Sequence, residues 1–319
     1  MQLRSSRVST GLLLGLTSGI LAASAASAAS AADPPPDLQG FWISGTLTPF
    51  ERPAGVVAQL PAEQLAEQQR LATEKFWAAG HKPGDVGRDN DAFIDQDLKI
   101  LPNGQTSLVV EPADGRVPFR PAALQRRDFN LSNFDSYETM SQWDRCITRE
   151  PTTMFPVSYN NAHQIVQTPG YVVITAEMVH DARIIPIGDD KRAAHADSRV
   201  RSWAGDSRGH WEGSTLVVET TNFNSLGWIA TGGNALALRG VPVSEQLRMV
   251  ERFTRVNHDT MQYEATIEDP VNYTAPWKVT YPLARDDNYQ IFEYACHEGN
   301  QAVEVILRGA RVQEQAGEK

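Results

Sequence analysis

The stretch QLRMVERFTRVNHDTMQYEATI, residues 246–267, holds two strand-length runs, 246–256 and 260–267, split by the turn signal Asn257-His258-Asp259. In the first run Leu247, Met249, Glu251 and Phe253 share one parity, while Arg248 and Arg252 share the other. Side chains two apart lie on one face of a strand, so this is a strand with an apolar face, a charged face and one carboxylate on the wrong side. Glu251 must either pair with a cation or hold its proton more tightly than usual, the state a general acid needs. A structural Glu paired with an arginine and a catalytic Glu are both compatible with the pattern.

Working outward, further short runs of the same kind occur at 163–168, 171–178, 182–187, 215–221, 277–282 and 289–296. Pro169-Gly170, Trp211-Glu212-Gly213 and Asp269-Pro270 punctuate them. Short strands at near-regular spacing predict an antiparallel meander closed into a lipocalin-like β-barrel, with a β-sandwich as the alternative. Residues 38–48 read as an opening strand and 107–111 as a short one. Residues 61–79 carry Leu65, Leu71, Phe76 and Trp77 near helical spacing, which predicts a surface helix. Residues 120–146 read as partly helical and 299–315 as a closing helix. The expected organisation is one barrel-type domain over 33–319, in which a partly helical, irregular segment (33–160) wraps a strand meander (161–298).

The first 32 residues read as a leader. Arg4 and Arg7 form a positive start, residues 11–22 an apolar core, and the repeated small residues that follow offer cleavage sites near Ala31 or Ala32. The expectation is a periplasmic or secreted chain of about 287 residues with a net charge of about −12. An acidic chain without a Lys/Arg cluster argues against nucleic acid and anionic membranes as partners, and no later segment is long enough to span a bilayer. Cys146 and Cys296 are the only cysteines; in an oxidising compartment they most simply form one disulfide.

No G-x-S-x-G elbow, P-loop, H-E-x-x-H or cysteine-rich metal pattern is present. His163, His180, His195, His210 and His297 match no metal-ligand spacing, so no cofactor is expected, and a divalent metal would need a site assembled by the fold. The remaining candidates are polar residues on or beside strands. Glu177, Asp181 and Arg183 continue the parity of Tyr171, Val173 and Thr175, as a barrel mouth lined by acid and base would; a solvated hairpin end reads the same way. His297 and Glu298 follow Cys296 as an acid/base pair would, although Glu298 and Asn300 equally suit helix capping. In the stretch 201–224, Gly209 to Ser214 read as a hairpin connection whose tip holds His210 and Glu212. That leaves Asp206, Glu219 and Asn222 as site candidates and argues against a Ser207–His210 nucleophile and base.

A series of motifs runs from end to end: Leu38-Gln39-Gly40; residues 47–53 (LTPFERP); 106–111 (TSLVVE) with Asp114-Gly115-Arg116; 135–138 (DSYE) before Arg145-Cys146; and Tyr159-Asn160-Asn161. It continues with 164–169 (QIVQTP), 180–186 (HDARIIP), GDSRGHWEGSTLVVETTNF and EYACHEGN. The chain resembles a large family of secreted, mostly uncharacterised bacterial proteins that share these motifs. The resemblance implies a single family unit with both cysteines in its pattern, and it implies no particular reaction. The family commonly shows another residue where His163 stands, which counts against an obligatory base there. The stretch 90–96 (NDAFIDQ) is also altered from the family's aromatic-rich version.

Two functions follow. One is an exported, cofactor-independent enzyme of lyase, isomerase, cyclase or hydrolase type acting on a small organic or sugar-derived substrate; two carboxylates suffice even for a glycosidic bond. Its proton-transfer candidates are Glu251, Glu177, His180, His297 and Asp206, with Arg183, Glu219, Asn222, Tyr159, Asn161 and Trp203 contacting substrate. The other is a periplasmic lipocalin-like protein that holds a hydrophobic molecule without chemistry. An apolar lumen would mark the binder; convergent ionisable groups would mark the enzyme.

Overall fold

The computed structural model describes residues 35–78, 95, 98–188, 194–230 and 238–317. The expected leader with its cut near Ala31 or Ala32, and residues 90–94 and 96 of the altered stretch, lie outside the described residues. Ten strands form one sheet: β1 (Gly40–Ile43), β2 (Val109–Glu111), β3 (Ala162–Thr168), β4 (Tyr171–Ala176), β5 (Ala182–Pro186), β6 (Asp206–Glu212), β7 (Thr215–Thr221), β8 (Arg248–Arg255), β9 (Thr260–Glu268) and β10 (Trp277–Arg285). Their order is β5-β4-β3-β1-β10-β9-β8-β7-β6, with β2 added beside β10, and the named pairings are antiparallel. The two ends meet at a seam, where an isolated parallel bridge joins Ile187 to Gly209 and the Gly188 N–H donates to the Gly209 carbonyl at 3.1 Å. The result is the expected barrel, closed except along this seam.

Helices are few. α1 (Leu65–Ala78) follows a short 3-10 turn, α2 (Pro121–Ser132) falls within the partly helical segment, and α3 (Ala302–Ala316) ends the described chain. None of the described helices is long and apolar enough to cross a membrane. Asn300 lies one residue before Gln301, the N-cap of α3, and its side-chain oxygen accepts from the Ala302 N–H at 2.9 Å, which satisfies one of the free N–H groups of the first turn.

The alternation read in residues 247–253 holds. Met249, Glu251 and Phe253 face inward and are fully buried, with Trp42, Tyr263, Tyr281 and Leu283 filling the interior around them. The outer face of β6 to β9 is a ladder of opposite charges: Arg208 opposite Glu219, Arg248 on Glu219 and Glu268, Arg252 on Glu212 and Glu264.

Three expectations change. Residues 206–212 are a strand, so His210 and Glu212 belong to the outer face of β6, and the two-residue turn is Gly213-Ser214. Residues 289–296 are not a strand. Strand β4 ends at Ala176, and a 3-10 turn, Met178–His180, carries Val179 at φ 63° and His180 at φ 45°. That turn resets the alternation, so Arg183 does not continue the outward parity of Tyr171 and Val173; it points inward beside Ile185.

Candidate functional site

Inward-facing Arg183 and inward-facing Glu251 meet inside the barrel. Nη2 of Arg183 donates to Oε1 of Glu251 at 3.0 Å, and Nη1 donates to Oε2. The Tyr263 hydroxyl donates to the same Oε1 at 3.0 Å. Both oxygens of Glu251 are engaged and the residue is fully enclosed. Glu251, expected as a proton donor, is held by Arg183 and Tyr263.

On its other side Arg183 faces Glu150, with Nε 3.8 Å from Oε1. This is ion-pair range without a hydrogen bond, and the Nε–H is fully occluded and unpaired. Burial pushes the Glu150 carboxyl up to about 7, against the pull of Arg183. Burial acts against the charge of Arg183 as well, but Glu251 and Glu150 more than offset it.

Glu150 sits in an irregular segment, 141–155, that plugs one end of the barrel. Polar bonds to the surrounding framework fix it. Gln142 Nε2 donates to the carbonyls of Glu150 and Trp228, the Tyr281 hydroxyl donates to the Met154 carbonyl, and Asp181 accepts from the Thr148 hydroxyl and the Arg149 N–H. His163, buried against this plug, has Nε2 3.2 Å from the Thr153 carbonyl. The carbonyl accepts, so the proton is on Nε2, and burial lowers the imidazole to about 4.

Outside the plug the disulfide Cys146–Cys296 brings the segment after β10 against Val157, Met178 and Val179, a small apolar cluster flanked by Trp143, Tyr159 and Tyr294. His180 Nδ1 donates to the Tyr294 carbonyl at 2.9 Å. Among the described residues, four of the five non-glycine residues with positive φ lie in this neighbourhood: Cys146, Asn160, Val179 and His180. Each costs about 1–3 kcal/mol, and a β-branched residue such as Val179 rarely adopts such a φ. Strain of this kind persists where the surroundings over-determine it, as at binding sites.

The other expected site residues are engaged with their own neighbours. Glu177 is buried because the segment after β10 folds over it: the Tyr289 hydroxyl donates to Oε2 at 2.6 Å and the Phe292 N–H to Oε1 at 3.0 Å. Asn161 braces its own turn through both atoms of Val157 and through Asp95. It lines an outer groove of about 600 Å³ with Lys99 and Tyr289. Asp206 is bound by Arg208, His195 and the Ala196 N–H, and Glu219 by Arg248. Asn222, in the left-handed region at φ 58°, donates to the Ala196 carbonyl. Trp203 stacks under Arg145 at 5.2 Å, and His297 is exposed. The expected candidates therefore do not share one cavity. Arg183, Glu251, Tyr159 and His180 fall at the plugged end, and Glu150 and Arg149 are the residues there that sequence reading missed. Among the described residues no three His, Cys, Asp or Glu side chains are gathered to hold a metal ion. No protein-family description, curated protein or solved structure matches the chain.

Proposed function

We propose that the chain is an exported enzyme that moves protons with its own side chains on a small organic or sugar-derived substrate, at the plugged end of the barrel. The observation that carries this reading is the unpaired Arg183 Nε–H facing Glu150. A carboxyl that keeps its proton near neutrality is suited to donate it. When Glu150 does so, its negative charge develops 3.8 Å from a guanidinium N–H that has no other partner, a donor aimed at charge that exists only after transfer. Glu251 and Tyr263 fix Arg183 for that purpose. The reaction class that fits is isomerisation, elimination or hydration, in which one group gives a proton and takes it back.

The filled, ion-paired interior gives less support to the binder of hydrophobic molecules, which needs an apolar lumen. The disulfide agrees with an oxidising compartment. The test is to incubate the purified protein with a bacterial metabolite extract and follow both masses and chromatographic retention, which separates isomers of equal mass. A compound that isomerises or changes by one water with the native chain, and not with Glu150→Gln, supports the reading. Equal conversion by Glu150→Gln, or a metabolite bound and returned unchanged, overturns it.

A further inference from the structure

Arg149 is only 5% exposed, yet among the described residues its guanidinium has no hydrogen-bond or ion-pair partner; only its backbone N–H is used, on Asp181. The contrast with Arg183, which Glu251 engages through both amino groups, is sharp. Removing a guanidinium from water without a hydrogen-bonded partner costs several kcal/mol, and burial pulls Arg149 down to about 10. Its nitrogens are not among the polar atoms that are both unpaired and fully occluded, so the guanidinium still reaches accessible surface. A cation that is buried, unpaired and reachable is what an anion site looks like before its anion arrives.

The surroundings narrow the occupant. Tyr159, Tyr294 and Tyr281 are the nearby phenols; Tyr159 and Tyr294, with Trp143, pack against the buried apolar cluster of Val157, Met178 and Val179. Glu150 and Asp181 also stand near Arg149, so a doubly charged phosphate or sulfate meets two acidic neighbours, while a single negative charge meets least repulsion. A guanidinium fork matches a planar carboxylate through two parallel N–H donors.

We infer that Arg149 anchors a pocket for the carboxylate of a small organic monoacid whose body rests on the half-buried Tyr159 and Tyr294. This rests on the acid–base reading above only in taking the bound acid for the substrate that Glu150 protonates; the pocket itself stands on Arg149.

The test is titration calorimetry of the full chain with sodium acetate, phenylacetate and benzoate, with benzamide and phosphate as controls. At least one monocarboxylate should bind one to one, and benzamide and phosphate should not compete. Arg149→Met should weaken that binding about tenfold or more, the loss of charge-assisted hydrogen bonds, with Arg149→Lys in between. Without ligand, Arg149→Met should melt no lower than the native chain, because it removes an unpaired buried charge. Tyr159→Phe should weaken binding without lowering the melting point. No monocarboxylate bound by the native chain, unchanged affinity in Arg149→Met, or an unliganded Arg149→Met that melts lower or does not fold each overturns the pocket. Carboxylate binding with no turnover of any metabolite defeats the acid–base reading and leaves the pocket standing; Glu150-dependent turnover unaffected by Arg149→Met does the reverse.

Discussion

Arg183 and Glu251 meet across the barrel interior from strands on opposite sides of the seam, β5 and β8, and the guanidinium offers an amino group to each carboxylate oxygen. The pair therefore ties together two parts of the sheet that backbone hydrogen bonds barely connect. Arg183→Leu alone leaves Glu251 buried without a cation and should cost about 3–5 kcal/mol. The double variant Arg183→Leu, Glu251→Leu removes both charges and should recover much of that loss. Urea unfolding of both variants checks it; a double variant as unstable as the single one would mean packing, not charge, dominates.

Glu150 and His163 should make opposite contributions to the pH dependence of stability. Folded Glu150 holds its proton up to about 7, against 4.5 for the free group, so its contribution falls as pH rises through that window. Folded His163 resists protonation down to about 4, against 6.5, so its contribution falls as pH drops. Each amounts to about 3 kcal/mol, and between about pH 4.5 and 6.5 they nearly cancel. Relative to the native chain, Glu150→Gln should gain stability as pH rises from 4.5 to 7. His163→Asn should gain it as pH falls from 6.5 to 4. Urea midpoints across pH measure both; two parallel difference curves would contradict the opposition.

Gly209 lets β6 approach β5. A Cβ there would stand 2.5 Å from Ile187 Cδ1 and 3.0 Å from Ile185 Cγ2, and Ile185 is fully buried. Gly209→Val should therefore destabilise by about 1–3 kcal/mol through overpacking, and Ile187→Ala added to it should restore part. Thermal melts of the three variants decide this.

Reduction of Cys146–Cys296 opens a loop of 150 residues. Cys146→Ser with Cys296→Ser should cost about 2–5 kcal/mol, and the loss should be uneven. Hydrogen exchange should rise first over 289–316, whose hold on the barrel then depends on the bonds of Tyr289 and Phe292 to Glu177, while β8 to β10 stay protected. Uniform loss of protection would show that the disulfide supports the whole sheet instead.

The barrel was legible because most strands alternate an apolar inner face with a polar outer one, and Glu251 stood out against that regularity. Strand β6 was hidden by its own function at the seam. Its inward positions include Ser207 and Gly209, small enough for β5 to approach, so no apolar alternation marks it. The inward turn of Arg183 was unreadable because Val179 and His180 take backbone angles that no propensity predicts for them. Glu150 and Arg149 lie in a segment without periodicity, where position is set by hydrogen bonds to distant parts of the chain.

Strand β1 is first in the chain and lies in the middle of the sheet, between β3 and β10, with Trp42 opposite both His163 and Arg285. Its second partner, β10, is made only after every other strand of the sheet. Pairing over such separations is slow, because closure entropy is spent before any contact repays it. The barrel therefore cannot close until the chain has been made as far as β10: Trp42 must wait for Arg285.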